Sequence, residues 1–106
     1  MKLVRKVTWE GLKQLYCVEW KLIDVNLPLP RWIDIDLGER VRLTLSYVEE
    51  DGQEYWVTRH WYKERIDDIE EDTRMIINAV RDAAREARRN VAIASQLSGE
   101  YLIDVD

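Results

Sequence analysis

The amino-acid sequence predicts an α+β protein, with a mainly antiparallel sheet of five to six strands and one long helix in the C-terminal half packed on one face of it. Two observations carry this. Apolar residues recur at every second position through roughly the first 62 residues, and from about Ile66 they recur every three or four. A third narrows the topology: Glu50-Asp51-Gly52 stands between two alternating runs, a strong hairpin signal.

The first strand is expected over residues 3–9, with Leu3, Val7 and Trp9 on one side, Arg5 among them, and an end at Glu10-Gly11. Residues 16–25 form a second, in which Tyr16, Val18, Trp20 and Leu22 face one way and Glu19 and Lys21 the other. The segment Asn26-Leu27-Pro28-Leu29-Pro30 must break it, because each proline removes a ladder donor and holds its predecessor extended. A stiff connector follows. Residues 32–37 alternate again, with Ile33, Ile35 and Leu37 opposite Trp32, Asp34 and Asp36, and Gly38-Glu39 turns the chain. Strands over 40–49 and 54–62 complete a hairpin.

The register of that hairpin decides which aromatic side chains are buried. A type I turn with Gly52 at a bulge would pair Tyr47 with Tyr55, Leu45 with Val57 and Val41 with Trp61. A two-residue turn at Asp51-Gly52 would instead pair Leu45 with Thr58 and Leu43 with His60. The bulged register segregates apolar residues better and is the one expected. It leaves Trp56, His60 and Tyr62 in one row on the opposite face, flanked by Val48.

Acidic residues open the helix at Asp67-Asp68, where carboxylates favour the positive end of the dipole. Ile69, Thr73, Ile76, Val80, Ala83, Ala87, Val91 and Ala94 then form one stripe, and Gly99 is the natural stop. Residues 100–105, with Tyr101, Ile103 and Val105 alternating, read as a last strand that would add to a sheet edge. An unbroken helix over 68–98 would run about 46 Å, whereas a compact chain of this length has a radius of gyration of about 13 Å. The helix outreaches its own sheet.

A length of 106 residues suits a single α+β domain, and no stretch has the apolar length of a membrane span. The N-terminus lacks the pattern of a signal peptide, so a cytoplasmic setting is expected. Residues 66–106 hold 5 arginines against 10 acids, which places the whole net charge of −5 in the helical half. That balance disfavours direct binding to nucleic-acid phosphates. All five tryptophans fall in the sheet half, and phenylalanine is absent.

Catalytic signatures are missing. The four glycines stand singly, Cys17 is the one cysteine and His60 the one histidine, so no phosphate loop or thiolate metal site can be built. No cofactor is expected. The alternative chemistry is carboxylate clustering: Asp24, Asp34, Asp36 and Asp104 recur in Ile-Asp motifs at strand ends, and their convergence could hold a hard cation. The preferred expectation is a non-enzymatic interaction or regulatory protein, in keeping with a small accessory or phage-type chain, that binds a protein partner and self-associates as a homodimer. Its expected contact surfaces are the aromatic row Trp56, His60 and Tyr62 with Val48, the acidic helix start, and Ala83, Ala84 and Ala87, which would let a second backbone approach.

Overall fold

The computed structural model describes residues 1–38, 41–64 and 66–104. Strands β1 (Lys2–Glu10), β2 (Leu15–Ile23), β3 (Trp32–Asp36), β4 (Arg42–Glu50) and β5 (Gln53–Tyr62) precede one helix, α1 (Ile66–Leu97). The five strands form a single antiparallel sheet in the order β1-β2-β5-β4-β3. The α+β architecture is therefore the one the periodicities predict. The sixth strand is not formed by residues 98–104, which carry no regular structure and are all exposed. Val105 and Asp106, the end of that expected strand, lie outside the described residues, as do Glu39 and Arg40 of the expected turn and strand start.

The hairpin register is corrected. Tyr47 lies opposite Trp56, and Ser46 opposite Val57, joined by a two-residue turn. Asp51 at φ 51° and Gly52 at φ 77° both occupy the left-handed region, as a type I′ turn requires. The twist of this turn matches that of the strands it joins, which favours it over the bulged alternative. Trp56, Thr58, His60 and Tyr62 consequently fall beside Leu22, Trp20, Val18 and Tyr16 of β2, in the row that faces the helix.

The core lies between this row and α1. Trp20, Val18, Leu45 and Ile76 are fully enclosed, and Ile33, Ile35, Leu43, Trp56 and Tyr62 surround them. From the helix come Ile69, Asp72, Ile76, Val80, Ala84 and Ala87. The predicted stripe thus packs as far as Ala87, whereas Val91 and Ala94 remain exposed because no strand lies beneath them. The connector between β2 and β3 runs along the helix flank. Leu29 enters the core, and Pro28 and Pro30 border a shallow hollow with Ala83, Glu86, Ala87 and Asn90. Ala83 and Ala87, two of the small side chains expected to admit a second subunit, line this hollow beside the connector. At Ala84 and Ala87 the surface is buried within the chain itself.

The helix is unbroken over 32 residues, about 48 Å at 1.5 Å each. Ten residues follow Ala87, so it overhangs the sheet by about 15 Å. The radius of gyration is 19.0 Å and the extents are 79 × 33 × 17 Å, far from the about 13 Å of a compact chain. At its end Ser98 bonds back through both its backbone N–H and its hydroxyl to the carbonyl of Ala94. Gly99 follows without the left-handed conformation of a C-terminal cap.

Candidate functional site

The carboxylates proposed as a cation site do not converge. Asp34 and Asp36 lie on β3 at one margin of the sheet, Asp24 follows β2 at φ 55°, and Asp104 lies beyond the helix. Asp34 accepts a hydrogen bond from the Thr44 hydroxyl and Asp36 one from the Gly38 amide, each at 2.9 Å. Among the described residues no group of three or more potential ligands could hold a metal ion. Cys17 is half-buried between Thr8 and Trp61 on the uncovered sheet face. His60 is half-buried and stacks edge-on against Tyr62 at 4.9 Å.

The aromatic row does not offer the surface its sequence position suggests. Trp56 and Tyr62 are 5% and 7% exposed, and the Trp56 indole donates to the carbonyl of Pro30 at 2.9 Å. Val48 lies on the other face, half-buried. What the row does contain is a polar clasp between sheet and helix. The Tyr62 hydroxyl donates to the wholly buried Asp72 at 2.5 Å, and the Trp20 indole donates to the Thr73 hydroxyl at 3.0 Å. Thr73 donates in turn to the Ile69 carbonyl at 2.6 Å. Arg5 of β1 reaches both Thr73 and Glu70, the latter as an ion pair at 2.9 Å. The Arg5 hydrogen bond and charge hold the Glu70 carboxyl below its usual range. Part of the acidic helix start is thereby engaged within the chain. Four elements meet here, and the clasp orients the helix on the sheet.

Uncovered surface is concentrated elsewhere. From Arg88 onward every described residue is exposed. Val91 and Ala94 continue the buried stripe, Leu97 widens it on one flank, and Ile93 lies well off it. Val91 is 48% exposed, Leu97 71%, Tyr101 80% and Leu102 100%, with Ile103 close behind. These apolar side chains are held away from the body of the protein by the overhang.

The two sheet margins differ in charge. The outer margin at β1 is nine residues long and presents Lys2, Val4 and Lys6 on the uncovered face, all exposed. Val7 and Trp9, on the helix side of the same strand, are nearly half exposed because α1 does not reach them. The margin at β3 is five residues long and carries Asp34 and Asp36 beside an exposed Trp32.

Of the residues singled out in the sequence, the fold brings together Trp56, His60 and Tyr62, and Ala83, Ala84 and Ala87, each set against the chain's own elements. Asp72 was hidden in an acidic run, although its position between Ile69 and Ile76 on the stripe marks it as inward-facing. No protein-family model, curated protein or solved structure matches this chain.

Proposed function

We propose that the chain is a non-enzymatic interaction protein that self-associates, with the overhanging end of α1 and the residues after it as its contact surface. One observation carries the reading: an apolar stripe continuous with the core runs uncovered past Ala87 and is followed by Tyr101, Leu102 and Ile103, all at least 80% exposed. Contiguous apolar surface of this kind marks interaction sites, and a closed two-fold dimer is the commonest way to cover it. A helix that leaves its sheet after Ala87 presents that stripe to another molecule without disturbing its own core.

Sedimentation equilibrium across the micromolar range tests this. The mass of two chains is expected, and Leu97→Asp should move it toward one chain with helical circular dichroism unchanged. A mass of one chain at every concentration would overturn self-association.

A further inference from the structure

Resting on that reading, we propose how the two copies join: residues 100–104 of each add as a strand to the open β1 edge of the other. An edge strand offers a row of unsatisfied backbone N–H and C=O groups, and a long apolar one invites another strand. β1 is a nine-residue edge strand of mixed character, with Val4, Val7 and Trp9 each more than 40% exposed among its basic residues. The segment after α1 has strand-type alternation and pairs with no strand among the described residues.

Charge selects the edge and the register. In an added strand Glu100, Leu102 and Asp104 share one face, and Tyr101 and Ile103 the other. The uncovered face of β1 presents Lys2, Val4 and Lys6 at the same spacing. With Leu102 opposite Val4, both acids face lysines, whichever way the strand runs, and the apolar pair lies between them. Tyr101 and Ile103 then fall beside Leu3 and Arg5 on the helix side. The β3 edge repels the same segment through Asp34 and Asp36. In the register that sets Val4 opposite Val4, two β1 edges oppose Lys2 with Lys6 and repel each other, whereas the acidic segment is accepted there.

Geometry makes the pairing intermolecular. Leu3 borders one hollow with Ile77 and Val80, so the start of β1 lies near the middle of the helix. Leu97 is 17 residues further on, about 26 Å along the axis. The stretch from Leu97 to Glu100 spans at most about 10 Å. A chain cannot reach its own β1, whereas a second copy placed across the overhang can, and the exchange is reciprocal.

The test uses two full-length variants, one carrying Lys2→Glu with Lys6→Glu and the other Glu100→Lys with Asp104→Lys. All four positions are exposed, so the fold is unaffected, which circular dichroism checks. Each variant alone should dimerise at least about tenfold more weakly than the parent, because every cross-strand charge pair becomes a repulsion. Mixed in equal amounts they should form a heterodimer of near-parental affinity, since both junctions again join opposite charges. Parental dimerisation by either variant alone, or a mixture no tighter than its components, would overturn strand exchange while leaving self-association standing. A parent chain that never dimerises would overturn both.

Discussion

Replacing Tyr62 by Phe removes one oxygen atom and keeps the ring, with its edge-on contacts to Trp20 at 6.4 Å and His60 at 4.9 Å. That oxygen donates to Asp72 at 2.5 Å, inside an interface where Asp72 has no exposed surface. Water cannot replace the lost donor. A buried polar group deprived of a partner costs about 1–3 kcal/mol. Asp72 keeps a further interaction beyond Tyr62, so the middle of the range, about 2 kcal/mol, is expected. Urea unfolding should show this as a lower midpoint at unchanged slope. Asp72→Ala closes a double-mutant cycle, and the two losses should overlap by about 1 kcal/mol or more. A loss below about 0.5 kcal/mol for Tyr62→Phe, or simple additivity in the cycle, would refute the clasp as a unit that fixes the helix on the sheet.

Three further outcomes follow from particular residues. Gly52→Ala places a side chain at φ 77° and should cost about 1–2 kcal/mol in chemical unfolding; a neutral result would argue against the two-residue turn. Ala84→Glu forces a charge into a position 2% exposed, so it should unfold the chain rather than merely separate two copies, read as loss of cooperative thermal melting. For Glu70, the Arg5 partner lowers the folded carboxyl pKa. Its contribution to stability is therefore present above the ordinary glutamate range and fades as pH falls through the folded value. The stability gap between the parent and Glu70→Gln should shrink on acidification, and a gap independent of pH would contradict the pairing.

Much of the fold is legible in residue periodicity. The run from Ile69 to Ala87 can only be a helix with one buried stripe, and the alternation in β2 places Val18, Trp20 and Leu22 in the core with no ambiguity. The β4–β5 register is not legible by the same means, because β5 carries large side chains at both parities: Tyr55, Val57 and Trp61 against Trp56 and Tyr62. Apolar segregation within the hairpin alone favours the wrong choice. The turn residues and the neighbouring β2 row decide it. The alanines on α1 suit a close approach by another element, but sequence does not say which, and here Ala84 and Ala87 are buried within the chain while Ala83 and Ala87 border a hollow with the proline connector. Residues 100–104 show the converse. Their alternation is strand-like, yet the overhang carries them away from the β1 edge and the β3 edge carries like charge, so the pattern finds no strand partner among the described residues.

Small-angle X-ray scattering of the intact chain in the micromolar range tests the central claim of self-association through the overhang most directly. Two copies joined through the overhang should give a forward intensity equal to two chains and a radius of gyration above the 19.0 Å of one. A forward intensity of one chain, with a radius near 19.0 Å at every concentration, would contradict it.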